Sequence, residues 1–287
     1  MRNRTWSFLV IGMIALLLGG CSGNSRKQTN VSPETDSVND VNEGVKTLRL
    51  QNVIVTWIRD NDKEHFMPRT LFPEASDALM ESLSLQDGVS ASMSAFLVEI
   101  GGTRILFDTG VGGPDSRLLR SLRSLGIAPA DIKYIYLTHF HGDHIGGMMK
   151  GDSVVFPNAE IYASKMEYDA WMEMPAEKNA RVVKTMDAYE DHLHLFSFGD
   201  TLPGDVVALH GVGHTPGHTV FLAGKLLIIG DLIHGADLQL EHPEICATYD
   251  MDREEAVKTR KYYLQYAKDN QLTMAGMHLP SSAFWKD

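Results

Sequence analysis

The chain has 287 residues, 44% hydrophobic and 22% charged, which is ordinary for a globular protein with a sizeable buried core. Its formal net charge is -11 and its lysines and arginines are scattered, so no nucleic-acid partner is expected; phosphate polymers repel an acidic chain that lacks a basic stripe.

Arg2 and Arg4 precede an apolar run from Phe8 to Leu18, too short for a hydrocarbon core that takes about 20 residues. The run closes on Leu18-Gly-Gly-Cys21, which resembles the lipobox of bacterial lipoproteins. That resemblance implies a signal peptide over 1–20 and lipidation of Cys21. It also implies export to a periplasm-facing or cell-surface location, with the lipid as the sole membrane contact. Cys246 then has no intrachain partner and is expected to be a small buried residue. Residues 21–46, rich in Ser, Asn, Asp, Thr and Glu, read as a flexible tether, and 47–287 as one folded domain.

Within that domain, strands are expected over Leu48–Trp57, Ala95–Ile100, Arg104–Phe107, Lys133–Leu137, Glu160–Ala163, Val206–Leu209, Thr219–Ala223 and Leu226–Ile229. Three helices have recognisable starts. Asp115 is placed to cap Ser116–Leu125, and Ser164-Lys-Met-Glu167 forms a capping box for a helix to about Glu173. Asp252 opens the longest helix, Arg253 to Lys268, with Val257, Leu264 and Ala267 expected on its buried face. Many short strands with interposed helices suggest a layered α/β fold.

Twelve histidines are present, and one segment concentrates them: His139-Phe-His141-Gly-Asp143-His144 follows the apolar run Tyr134–Leu137. An isolated histidine usually has a structural role. Here four ligand-type residues fall just past a strand end, where loops present side chains into a crevice. Two imidazoles spaced by two residues point the same way along extended backbone, and Gly142 permits a turn that brings Asp143 and His144 to a second position. Such a donor set suits borderline-soft divalent cations.

The segment resembles the HxHxDH signature of the metallo-β-lactamase superfamily, and further resemblances follow in order. They are Gly213-His214-Thr-Pro-Gly-His218, Ile228-Ile-Gly-Asp231, Met277-His278-Leu-Pro280 and, earlier, Ile105-Leu-Phe-Asp108-Thr-Gly110. The resemblance implies a four-layer αββα sandwich and a dinuclear metal hydrolase, with zinc the expected metal. By the same resemblance His139, His141 and His214 hold one ion, Asp143, His144 and His278 hold the other, and Asp231 bridges. A metal-bridging hydroxide is the implied nucleophile, with Asp143, Asp231 and His234 as catalytic residues. His234 stands where some lactonases of the family carry tyrosine. His218 and Asp108 are expected to support the ligands, and His65, His192, His194, His210 and His242 to be ordinary surface or core residues.

Among the family's branches, the lactonases and organophosphate hydrolases are similar in Gly230-Asp231-Leu-Ile-His234, Tyr249-Asp-Met-Asp252, Thr259-Arg260 and Ala275-Gly-Met-His278. The expected substrates are small esters or lactones, with acyl-homoserine lactones the attractive case. Phosphotriesters come second and β-lactams third, since true metallo-β-lactamases often carry cysteine at the position of Asp231. An anchored metal- or ligand-binding lipoprotein is the non-enzymatic alternative. Glyoxalase-type thioesterases append a helical domain, for which the nine residues after His278 leave no room. The same short ending leads us to expect an altered sheet edge and pocket wall. Oligomeric state is not legible.

Overall fold

The two central sheets follow from strands whose alternate residues are apolar on both faces. The computed structural model describes residues 38–63, 65–280 and 283–286, all within one compact unit. The expected signal peptide, Cys21 and the tether up to residue 37 lie outside the described residues.

The first half contains β1 (Val38–Asn42), β2 (Val45–Leu50), β3 (Val53–Arg59), β4 (His65–Met67), α1 (Asp77–Ser82), β5 (Val89–Ala91), β6 (Ser94–Ile100), β7 (Thr103–Phe107), α2 (Leu118–Ser124) and β8 (Tyr134–Tyr136). Next come α3 (Gly142–Ile145), β9 (Met149–Lys150), β10 (Ser153–Val154), β11 (Glu160–Ser164), α4 (Lys165–Met172), α5 (Ala176–Ala188) and β12 (Leu193–Phe196). The last part holds β13 (Thr201–Leu202), β14 (Val206–His210), β15 (Thr219–Ala223), β16 (Leu226–Gly230), α6 (Ala236–Gln239), α7 (Arg253–Asn270), β17 (Thr273–Gly276) and β18 (Phe284–Trp285).

One sheet has the order β1-β2-β3-β6-β7-β8-β11-β12, antiparallel as far as β7 and parallel beyond it. The other runs β13-β14-β15-β16-β17-β18, parallel only between β16 and β17. Phe96 and Val98 of β6 and Leu226 and Ile228 of β16 meet in the core between the sheets. The alternate residues face helices: Ala95 and Leu97 pack with Leu118, Leu122 and Trp171, and Leu227 and Ile229 with Tyr263 and Ala267. The αββα sandwich is therefore built by period-2 patterning with both faces covered. A satellite cluster joins Met67, Leu71, Phe72 and Met80 to Leu238 and Ile245 beside one end of the sandwich.

Several elements differ from the sequence expectation. Leu48–Trp57 is two antiparallel strands joined at Gln51, whose φ of 53° makes the turn. Strand pairing reaches back to Val38, inside the segment whose composition suggests a tether. An edge strand is held by backbone hydrogen bonds, so composition alone misses it. Asp115 does not cap α2. The carboxylate of Asp60, at the end of β3, accepts from Leu118 N (2.9 Å), Ser116 Oγ (2.5 Å) and Val111 N (2.8 Å) instead. On α7 the buried face is Ala256, Thr259, Arg260, Tyr263 and Ala267, with Val257 and Leu264 only half-buried. Helix α5, not among the expected helices, buries polar Asn179 and Thr185 beside Val182 and Met186. The residues after His278 still close the sheet edge, as β18. Cys246 is buried, as expected.

Asp60→Ala removes one acceptor from three donors and should destabilise the fold by about 2–3 kcal/mol. Thermal unfolding monitored by circular dichroism checks this; an unchanged midpoint would show that water replaces the carboxylate.

Candidate metal centre

Strands β14, β16 and β17 run in one direction through their sheet, so the segments following them emerge at the same end. His214 follows β14, Asp231 follows β16 immediately, and His278 follows β17. His139 and His141 lie in the loop after β8, and Asp143 and His144 sit on α3. The seven residues converge. His139, His141, His214 and Asp231 form one group of potential ligands, and Asp143, His144 and His278 a second.

Asp231 lies at the centre. Its Oδ2 is 3.0 Å from His278 Nε2, 3.3 Å from His214 Nε2 and 3.7 Å from His139 Nε2, and its Oδ1 is 3.2 Å from His144 Nε2. Asp143 Oδ2 is 3.5 Å from His278 Nε2 and 3.7 Å from His144 Nε2.

Each of four rings has a partner behind it. His144 Nδ1 donates to Asp108 Oδ2 (2.7 Å), His214 Nδ1 to Asp250 Oδ1 (2.9 Å), and His278 Nδ1 to the Ser92 carbonyl (2.8 Å). Thr138 Oγ1 donates to Asp108 and so accepts from His139 Nδ1 at 3.0 Å. These tautomers, assigned from the network, leave Nε2 lone pairs facing inward. The Nε2 atoms of both His139 and His214 then lie 2.9 Å from His141 Nδ1, which has at most one proton to share. Moreover, His144 Nε2 and Asp231 Oδ1 are buried without a hydrogen-bond partner. A divalent cation on each side resolves these orphaned donors, so the residues fit a dinuclear site.

The charge states agree with that fit. Burial, reinforced by His214, lowers His141 to about 3. Burial also opposes a charged His278, yet Asp231 outweighs it and raises the ring to about 9; Asp231, Asp143 and Asp108 similarly raise His144. Asp231 is held well below the usual carboxylate range, because His144 and His278 outweigh its burial. Protons here balance the charge that cations would.

The supporting residues were partly legible. Asp108 does orient His144, from a left-handed backbone (φ 56°) that is rarely populated outside glycine. His218 is no ligand of the two groups: its Nδ1 donates to Gly211 O, and its Nε2 accepts from Asp231 N at 3.0 Å. A Cβ at Gly230 would come within 2.4 Å of that Nε2, which requires glycine before Asp231.

Glu167 has a role that the capping box does not announce. Its backbone N does donate to Ser164 Oγ, but its buried carboxylate accepts from Phe140 N, Trp171 Nε1, Thr215 Oγ1 and Gly217 N. It thereby joins the His139 and His214 loops. Asp250 and Arg260, legible only as members of the segments similar to the lactonase branch, form a buried pair. The fully buried Arg260 guanidinium holds Asp250 Oδ2 (3.0 Å) and the carbonyls of Leu232, Pro243 and Ile245. Burial opposes ionisation of Asp250, but its bond to His214 holds it down to about 2.

His234 is brought to Asp231, its Nε2 3.4 Å from Oδ2, but is fully buried. The centre opens onto a cavity of about 410 Å³ lined by His141, Asp143, Asp231 and His278 on one side and by Met67, Pro68, Leu71, Met93 and Tyr249 among others. His65 also lines it, whereas His192 and His194 flank Glu160 at the surface, away from the centre.

The profile of the metallo-beta-lactamase superfamily matches residues 93–278. The chain is similar to the crystal structure of the hydrolase AbOPH of the beta lactamase superfamily, with a TM-score of 0.74 and 29% identity over 85% of this chain and 92% of that one. It is similar as well to AidC, a dizinc quorum-quenching lactonase solved with a product, with a TM-score of 0.77 and 26% identity over 84% and 92% of the two chains. The N-acyl homoserine lactonase AttM of Azorhizobium caulinodans is 28% identical over 143 residues, 43% of this chain and 49% of that protein. The chain matches about half or less of the length of these curated relatives.

Asp250→Asn keeps the shape behind His214 but removes the charge. Affinity for the first metal ion should fall about 10–100-fold, as when an outer partner of a ligand is lost. Competition with a chromophoric chelator measures this, and unchanged affinity would show that Asp250 serves Arg260 alone.

Proposed function

Because the chain belongs to the metallo-beta-lactamase superfamily, we propose that it hydrolyses small neutral esters or lactones, N-acyl homoserine lactones among them, with two divalent cations, zinc the favoured metal. The cavity carries this reading. Metal-type ligands line it together with the apolar side chains of Met67, Pro68, Leu71 and Met93. No lysine or arginine is among its described lining residues, so an acyl chain suits it better than an anion. The likeness to AidC and AttM supports the same substrate class.

His139, His141 and His214 would hold one ion and Asp143, His144 and His278 the other, with Asp231 shared. Such a pair, when bound, supplies Lewis acidity and lowers the pKa of water towards about 7. Asp108, Asp250 and the Ser92 carbonyl keep the imidazole lone pairs aimed inward, so no reorganisation accompanies reaction. Asp231 lines the cavity beside the other ligands, placed to pass a proton to the departing oxygen. Asp143, with 28% of its side chain exposed, is the carboxylate of the centre that reaches furthest into solvent and can relay outward the second proton, which the product acid releases on ionising. The apolar wall excludes competing water.

Panels of lactones, aryl esters, phosphotriesters and β-lactams, each with and without chelator, test the proposal. We expect lactone or ester turnover that chelation abolishes, and Asp231→Ala should lose at least one ion and about 100-fold or more in turnover. A metal-replete protein inert to all four classes would favour an anchored binding protein, and turnover of phosphotriesters alone would move the substrate class.

We also propose, from the Arg2-to-Cys21 segment, that the protein is an exported lipoprotein. Cys21→Ser should release it from membranes with its metal content unchanged. Continued retention would indicate an uncleaved anchor.

A further inference from the structure

His234 has an environment that a reserve surface or core histidine would not tolerate. The ring is 0% exposed, and neither Nδ1 nor Nε2 has a hydrogen-bond partner among the described residues. Burying an imidazole with neither nitrogen hydrogen-bonded is costly. Its position is nevertheless well fixed. Gln239 Oε1 accepts from His234 N (2.7 Å) and Gly235 N (3.1 Å), while Gln239 Nε2 donates to Ile245 O. The ring stacks on His278, with centroids 5.3 Å apart and planes 17° from parallel, and lies 4.8 Å from His214.

Sequence similarity places His234 near the substrate, but it is absent from the residues lining the cavity, where Tyr249 stands instead, 6.0 Å from its centroid. What its Nε2 does face is Asp231 Oδ2 at 3.4 Å, beside His278 Nε2 at 3.0 Å from the same oxygen. Asp231, His234 and His278 form a group whose ligand atoms lie within 4.8 Å of one another. We infer that His234 is a further metal ligand, its Nε2 binding the second divalent cation alongside His278 and Asp231. This rests on the dinuclear centre proposed above but not on the substrate class.

A third imidazole on the second ion has a chemical consequence. It raises the second site from two imidazoles beside two carboxylates to three, favouring borderline-soft cations such as zinc or cobalt over magnesium or manganese. A third imidazole would leave fewer positions on that ion for water or substrate, and the cavity that both must enter by is lined by Asp143 and Asp231.

The decisive measurement uses the full chain loaded with cadmium-113 and labelled with nitrogen-15. Coupling from one cadmium to the Nε2 atoms of both His278 and His234 is expected; coupling to His278 without His234 overturns the inference while leaving the dinuclear centre intact. A protein that takes up no cadmium at either site would overturn the centre itself. Independently, His234→Ala and His234→Gln should retain the first ion and bind the second at least about tenfold more weakly. The visible spectrum of the cobalt-substituted second site should change in parallel. Two ions held with unchanged affinity and spectrum, accompanied by lost turnover, would return His234 to a substrate-contact role.

Discussion

Four histidines give their Nδ1 protons to partners behind them, and the lone pairs that remain converge with the carboxylate of Asp231 on one small volume. Such an arrangement repels itself unless positive charge lies within it. Protons on His144 and His278 supply that charge in one state, and divalent cations are the natural occupants in the other. The surrounding structure can be understood as the means of holding those rings against their mutual repulsion.

Two kinds of support do this. Strand direction is the coarse one: β14, β16 and β17 deliver His214, Asp231 and His278 to one end of the sandwich, while β7 and β8 bring Asp108 and the His139 loop from the facing sheet. Buried polar side chains provide the fine adjustment. Glu167 satisfies donors from three segments at once, and Arg260 joins the Asp231 and His214 loops through Leu232 O and Asp250. Each is buried and fully engaged, which is the condition under which a buried charge specifies position rather than destabilising the fold.

The cavity has a different origin from the ligands. Its apolar wall comes from β4 and the segment that follows, which lie in sequence between β3 and β6, and Met67 and Leu71 there also belong to the satellite cluster with Leu238 and Ile245. Ligand geometry and cavity shape therefore rest on separate packing units, so the wall can vary while the centre stays constant. Branches of one superfamily can thus differ in substrate with the same donors.

The primary structure alone brought out the candidate donors and a layered α/β fold, and its family resemblance implied the four-layer sandwich. Metal ligands are drawn from few residue types, His, Cys, Asp and Glu, and alternation of apolar residues is local, so both leave a mark in the sequence itself. Tertiary structure decided what depends on distant partners. Asp60 rather than Asp115 caps α2, Glu167 serves loops far from its own helix, and Arg260 is buried on a helix face where periodicity points to Val257 and Leu264. His234 belongs to the same class: its spacing from Asp231 places it near the centre, but only packing shows it enclosed, with both nitrogens unpaired. Spacing along a chain encodes which groups are near in sequence, whereas burial and hydrogen bonding are settled by neighbours that the chain brings from elsewhere.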